Sequence, residues 1–144
     1  MSLPALEWND GLALAAQDHC EDTGAKGVVS HDGSDGSKVW DRMERYGDAS
    51  GTMGENLSFG KSRGDEYMTS LFIDDGVADR GHRNAIQSTK YFKVGLAYCP
   101  HKSAYAGMVA IAYATDFAIN ELGKSEIERR FKSRRVGSNV EYTA

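Results

Sequence analysis

Cysteine is scarce in this chain of 144 residues, which contains only Cys20 and Cys99. Two cysteines allow one bridge and do not make the disulfide framework of a small cysteine-rich domain. A domain of this length buries enough surface to fold without a bridge. We therefore expect two free thiols, which are common as small core residues. A bridge between Cys20 and Cys99 is the alternative.

Long apolar runs and an excess of positive charge are also missing. No apolar stretch approaches the roughly 20 residues that span a membrane. The chain carries 17 Lys and Arg against 21 Asp and Glu, a net charge of -4. These features argue against a membrane span and against a general nucleic-acid or anionic-membrane surface. The first residues, Met1-Ser2-Leu3, lack the charged and apolar regions of a signal peptide.

The charge is unevenly divided along the chain. Residues 118–144 hold six basic and four acidic side chains, a net charge of +2, which leaves -6 for residues 1–117. We therefore predict a folded domain over residues 5–117. Residues 118–144 are predicted to form a partly basic C-terminal extension, either helical around 126–131 or loosely ordered.

Apolar spacing predicts helices in the first part of the chain and strands near its end. Helical periodicity covers residues 5–23, 37–46, 65–75 and 79–87. Extended structure is predicted for residues 54–60, 92–98 and 108–113, the last two as a hairpin. His19 lies on the inward stripe of the first helix, and Trp40 and Met43 are expected to face inward in the second. Helices before strands predict an α+β domain in which helices cover an antiparallel sheet.

Three residues that can carry chemistry stand in unusual local sequence. His31 lies in a glycine-rich loop, where the backbone can bend sharply and present the ring. Glu55 lies in a short, otherwise uncharged stretch, and His82 begins a helical turn after a glycine. Each has a structural alternative, as a hydrogen-bonded histidine or as an acceptor of backbone N–H groups.

A fourth candidate is acidic. Asp74 and Asp75 stand at the C-terminal end of the helix over 65–75, where the helix dipole disfavours negative charge. Asp74 also continues the apolar stripe of that helix inward. A carboxylate in this place needs a cation, a histidine proton or a metal. The alternative is a salt bridge to Arg80 or Arg83.

With these motifs in order, the sequence resembles the CAP superfamily of cysteine-rich secretory proteins, antigen 5 and pathogenesis-related proteins. The resemblance spans about residues 5–117. It rests on Leu6-Glu7-Trp8-Asn9-Asp10, Ser30-His31, Gly54-Glu55-Asn56-Leu57, Gly81-His82-Arg83 and Val94-Gly95.

The resemblance implies a three-layer α-β-α sandwich with a central antiparallel sheet, in a secreted, extracellular protein. It also implies a cleft in which two histidines and two acids can hold a divalent metal. His31, Glu55 and His82 carry over from the motifs. Asp74 is the closest match to the second acid, with Asp75 next. The chain follows His82 with arginine, as the microbial relatives do.

Three functions fit these residues. The first is an extracellular, monomeric binding module with a metal-capable cleft that takes a small apolar ligand, a sterol or a protein partner. The second is a hydrolase that uses a metal-activated water, or Glu55 as general base aided by His31 or His82. The third is a purely structural cluster.

Two imidazoles with carboxylates suit zinc best, with magnesium or manganese as alternatives. His31, Glu55 and His82 are predicted to converge on one solvent-reachable cleft, with their ligand atoms within metal-bridging reach.

Overall fold

The first helix of the chain, α1 (Asp10–Lys26), is held at both ends by local sequence, in a computed structural model that describes residues 2–132. The Asn9 side-chain oxygen accepts the N–H groups of Gly11 and Leu12 at 2.9 and 3.1 Å. Gly27 ends the helix with a φ of 68°, which a residue without Cβ adopts easily. The helix predicted over residues 5–23 is confirmed, and it begins and ends a few residues later than expected.

The remaining elements follow the predicted order. The other helices are α2 (Val39–Glu44), α3 (Gly64–Ile73), α4 (Gly81–Ile86) and α5 (Glu121–Ile127), with a π-helical turn over Glu128–Lys132. The strands are β1 (Glu7–Trp8), β2 (Gly47–Phe59), β3 (Lys93–His101) and β4 (Ala106–Ile119). The described part of the chain contains no helix that is long and apolar enough to cross a membrane.

The four strands form one sheet in the order β1-β3-β4-β2. Antiparallel pairing joins β3 to β4 and β4 to β2, whereas β1 pairs with β3 in parallel. The sheet is therefore mixed, and the expectation of a purely antiparallel sheet needs this correction. The physical reason is that β1 precedes α1 and joins the sheet through only two residues, too few for an alternating pattern to reveal.

Alternate residues of β4 bury their side chains on opposite faces of the sheet. Met108, Ala110 and Ala112 pack with residues of α1 and α2, and Ile127 of α5 belongs to the same cluster. Val109, Ile111 and Tyr113 pack with Tyr67 and Leu71 of α3. Helices thus cover both faces, which confirms the three-layer α-β-α sandwich.

A disulfide joins Cys20 on α1 to Cys99 on β3, with their Cα atoms 5.7 Å apart. The expectation of two free thiols is therefore wrong. The reason is the close approach of α1 to β3, which spacing in the sequence does not reveal. A Cβ built on Gly95 would lie within 2.1 Å of the Ala13 nitrogen, so only glycine admits the helix backbone there.

Residues beyond 117 continue the folded structure as far as it is described. β4 runs to Ile119, Ile127 is buried in the core, and Phe131 packs against it. Arg130 forms an ion pair with Asp18 of α1 at 2.8 Å. The boundary predicted between residues 117 and 118 stays a prediction, and the last part of that extension lies outside the described residues.

Candidate functional site

The first predicted pair of site residues meets on the α1 side of the sheet. His31 Nδ1 lies 2.9 Å from Glu55 Oε1, and because a carboxylate only accepts, the ring nitrogen donates. The Glu55 side chain is 3% exposed, whereas that of His31 is 61% exposed. The hydrogen bond to Glu55 raises the pKa of His31 above its usual value, against the opposing effect of burial. The buried acid therefore orients a histidine that reaches solvent.

Arg42 of α2 completes this pair from inside the protein. Its buried guanidinium donates to Glu55 Oε2 at 2.8 Å, to the Ser37 carbonyl at 2.7 Å and to the His31 carbonyl at 3.2 Å. Both oxygens of Glu55 are thus engaged, and the loop that carries His31 is held to α2. Sequence reasoning missed Arg42. The available signal was its position three residues after Val39, on the apolar side of the predicted helix.

His19 of α1 supports the same loop. Its Nε2 lies 2.8 Å from the Ser30 carbonyl, which only accepts, so Nε2 carries the proton. The same nitrogen lies 3.9 Å from Glu55 Oε1, and His19 Nδ1 is buried without a hydrogen-bond partner among the described residues. Burial lowers the pKa of His19. The ring is therefore neutral near pH 7 and fixes the residue that precedes His31.

The second pair joins His82 to Asp74, the residue that ends α3 in the left-handed region with a φ of 51°. His82 Nδ1 lies 2.9 Å from Asp74 Oδ1, and the backbone N–H groups of His82 and Arg83 donate to Oδ2 at 2.9 and 3.3 Å. Burial opposes ionisation, yet these hydrogen bonds lower the pKa of Asp74. Asp74 is buried and Asp75 exposed, so Asp74 is the acid beside His82. Of the alternatives for this carboxylate, the structure shows the histidine partner.

Glu55 and Asn56 connect the two pairs through neighbouring positions of β2. Successive side chains of a strand point to opposite faces, so Asn56 lies on the α3 side. Its amide donates to the His82 carbonyl at 3.2 Å and to the Tyr113 hydroxyl at 3.3 Å. Because β2 is an edge strand, the two pairs flank one edge of the sheet.

The structure thus brings the four predicted residues together as two separate histidine–carboxylate pairs. Among residues 2–132, no group of three or more His, Cys, Asp or Glu side chains is arranged to hold a metal ion. The predicted convergence of His31, Glu55 and His82 on one solvent-reachable cleft stays a prediction.

Only two of the four histidines present a ring nitrogen to solvent. His101 is buried, with Nδ1 2.7 Å from the Ser103 hydroxyl and Nε2 3.1 Å from the Val28 carbonyl. His19 is buried as well. In His31 and His82 the hydrogen bond to the acid uses Nδ1, and the side chains are 61% and 33% exposed. Their Nε2 atoms are therefore the nitrogens available to a ligand.

A cavity of about 380 Å³ lies beside His31. Its apolar wall is formed by Val39, Trp40 and Met53. An ion pair between Lys38 and Asp32, 2.6 Å long, stands at its rim. Trp40 is exposed in this wall, so the expectation that it faces inward is wrong.

Comparison with known proteins places this architecture in a family. The model of the cysteine-rich secretory protein family, CAP, matches residues 1–115, and the chain belongs to that family. Among curated proteins, none matches the chain.

Two solved structures share the fold at low sequence identity. An outer surface protein from Borrelia burgdorferi is 17% identical, with a TM-score of 0.65 and 78% of each chain covered. An extracellular protein containing a SCP domain from Bacillus anthracis is 21% identical, with a TM-score of 0.61. That match covers 78% of this chain and 34% of the Bacillus chain.

Proposed function

We propose that this CAP domain is an extracellular binding module that holds a divalent metal ion through Nε2 of His31 and His82. The strongest support for the proposal is one observation on the two histidines. In both histidines Nδ1 donates a hydrogen bond to a buried carboxylate at 2.9 Å, which leaves Nε2 as the free ring nitrogen. Metal-binding histidines characteristically donate their other ring N–H to a carboxylate, which fixes the tautomer and the ring orientation.

The two acids act through the histidines in this proposal. One oxygen of Glu55 accepts a hydrogen bond from His31, and the other accepts one from Arg42. The oxygens of Asp74 accept hydrogen bonds from the ring of His82 and from backbone N–H groups. Neither carboxylate has a free oxygen to offer an ion, so each orients an imidazole. A donor set of two imidazoles suits zinc better than magnesium or manganese, which prefer oxygen ligands.

The proposed location outside the cell has two supports. One similar structure is an outer surface protein and the other an extracellular protein. The Cys20–Cys99 disulfide is the second support, because such bonds persist in oxidising compartments and are rare in the cytosol.

The cavity beside His31 supports a small apolar ligand as the molecule that the module takes up. Ligand sites are mostly apolar with a few polar groups, and their volumes begin at about 300 Å³. Trp40, Val39 and Met53 supply the apolar wall here, and His31 supplies a polar group. A sterol or an extracellular protein partner remains the alternative occupant.

The hydrolase alternative receives less support from Glu55 than its sequence position suggested. A general base needs a lone pair within hydrogen-bond reach of the substrate. The Glu55 side chain is 3% exposed, and both of its oxygens are engaged. We therefore propose a binding module rather than an enzyme with Glu55 as its base.

Calorimetric titration with Zn²⁺ tests the proposal against the structural alternative. We expect the wild type to bind zinc, and His31→Ala and His82→Ala to bind at least about tenfold more weakly. Asp74→Asn should weaken binding by about 10- to 100-fold because the ring of His82 loses its orienting partner. Asp75→Asn, the matched control at the neighbouring exposed acid, should bind as the wild type does. A wild type that binds no zinc would support the structural cluster instead.

A further inference from the structure

Within residues 2–132, the edge of β3 that faces away from β4 is covered over only part of its length. β1 pairs with this edge at Lys93 and Val94, and the Asn9 N–H donates to the Val94 carbonyl at 2.8 Å. Every second residue of a strand turns its backbone groups to the same edge. The N–H and C=O groups of Leu96 and Tyr98 therefore face outward too. In the described part of the chain, no strand pairs with them.

The uncovered stretch is short and lacks the charged side chains that protect many strand edges. It ends at Pro100, which has no N–H to offer a neighbouring strand. No charged residue stands between Lys93 and His101, although exposed edges are commonly guarded by charged side chains. Leu96 and Tyr98 together offer two N–H donors and two C=O acceptors to an added strand.

A groove of about 380 Å³ runs beside this edge, between β3 and α1. Trp8, Leu96, Tyr98 and Phe131 give it an apolar and aromatic lining. Trp8 and Tyr98 are 51% and 61% exposed, so the lining is open to solvent. An added strand would bring every second side chain over this surface.

One carboxylate in the groove supplies a charge that a partner can match. Asp10 accepts the indole N–H of Trp8 at 2.9 Å, which holds the ring against the start of α1. Asp10 forms no ion pair with any Lys, Arg or His among residues 2–132, so a cation of a partner can pair with it.

We propose that this edge binds an extended peptide segment of another protein, one with an apolar side chain for the groove and a basic residue for Asp10. The backbone of the segment continues the sheet beyond β1 by pairing with Leu96 and Tyr98. Strand addition of this kind gains affinity from main-chain hydrogen bonds and specificity from pockets for alternate side chains. The site is independent of the histidine pairs, which flank the opposite edge of the sheet at β2.

Fluorescence anisotropy with a labelled synthetic peptide, Lys-Val-Thr-Val-Thr-Val-Lys, tests this proposal on the full chain. We expect binding that weakens by about tenfold in Trp8→Ala, since buried aromatic anchors dominate interfaces. Asp10→Asn should weaken it by about threefold at low salt, as an exposed ion pair allows. Tyr105→Ala is the matched control, because that ring is 53% exposed against 51% for Trp8, yet it packs against Phe59 and does not line this groove. It should bind as the wild type does.

A second peptide, N-methylated at alternate residues, tests the backbone pairing without altering the protein. The methyl groups remove the N–H donors that strand addition needs, so its binding should be lost. Equal binding of both peptides, or unchanged binding by Trp8→Ala, would overturn the proposal. So would sedimentation that shows a dimer which the first peptide does not dissociate, because a second copy would then fill the edge.

Discussion

Arg42 carries a positive charge inside the protein, and the Glu55 carboxylate balances it. The two side chains are 2% and 3% exposed, and their charged atoms lie 2.8 Å apart. Glu55→Gln should destabilise the fold by about 3–5 kcal/mol, because it leaves a buried guanidinium without its counter-ion. Urea unfolding of the wild type and the variant measures this loss.

The matched control for that variant is Asp32→Asn. Asp32 also pairs with a cation, Lys38, but both side chains are largely exposed. Its loss should lower the free energy of unfolding far less than the loss of Glu55 does, because surface ion pairs contribute little. If Glu55→Gln proves as mild as Asp32→Asn, the buried pair does not hold the loop together as described.

The pKa values of the two histidines around Glu55 should be shifted in opposite directions from the usual value of about 6.5. The pKa of His31 is raised by Glu55, so its contribution to stability is present below pH 6.5 and disappears as pH rises through the folded pKa. The pKa of His19 is lowered by burial, so its contribution is present above pH 6.5 and is lost as pH falls. Ring-proton NMR shifts against pH should show His31 titrating above His19. The reverse order would contradict this assignment.

At the scale of elements, the sequence predicted a helix or strand where its apolar periodicity was long and where neighbouring residues marked its ends. α1 was predictable because Asn9 caps its start and a glycine, Gly27, ends it. β1 was not, because two residues cannot show a period. β2 was predicted only over its last part, since Gly47 and Gly51 and an irregular register between Ser50 and Met53 interrupt its alternation.

The site shows the same division between local and distant information. His31, Glu55 and His82 stand in recognisable local motifs, so sequence alone could nominate them. Asp74 could be nominated as well, but the role of Arg42 and His19 could not, because these residues meet Glu55 only after α1 and α2 pack on the sheet. The Cys20–Cys99 bond escaped prediction for the same reason, since it depends on how closely α1 approaches β3.

The contact between α1 and β3 should tolerate no side chain at Gly95. A Cβ there would lie 2.1 Å from the Ala13 nitrogen and 2.5 Å from the Leu12 carbonyl carbon, both backbone atoms. Gly95→Ala should therefore cost about 3 kcal/mol, at the upper end for overpacking. Thermal unfolding monitored by circular dichroism measures the loss.

Gly64→Ala is the corresponding control, at the first residue of α3. A Cβ at Gly64 would meet no atom within 4 Å, and alanine favours the helix by up to about 1 kcal/mol. This variant should be as stable as the wild type or slightly more so. Equal losses in the two variants would show that packing of α1 on Gly95 is not the cause.

At the scale of the whole molecule, the sheet has two edges with different chemistry. The β2 edge is flanked by two histidine–carboxylate pairs, and the β3 edge, as far as the described residues go, offers unpaired backbone groups beside an aromatic groove. Helices cover both faces of the sheet, so the edges are where a core strand can meet solvent. Metal binding and strand addition should therefore be separable, each lost in its own variants while the other persists.

The most direct test of the proposed metal binding observes the ring nitrogens themselves. Long-range ¹H–¹⁵N correlation spectra of the ¹⁵N-labelled chain resolve Nδ1 and Nε2 of all four histidines during a Zn²⁺ titration. We predict that Nε2 of His31 and of His82 shifts on zinc binding while their Nδ1 atoms remain protonated. His19 and His101 serve as internal controls and should not change. Zinc-induced shifts at His19 or His101, or no shift at His31 and His82, would contradict the account.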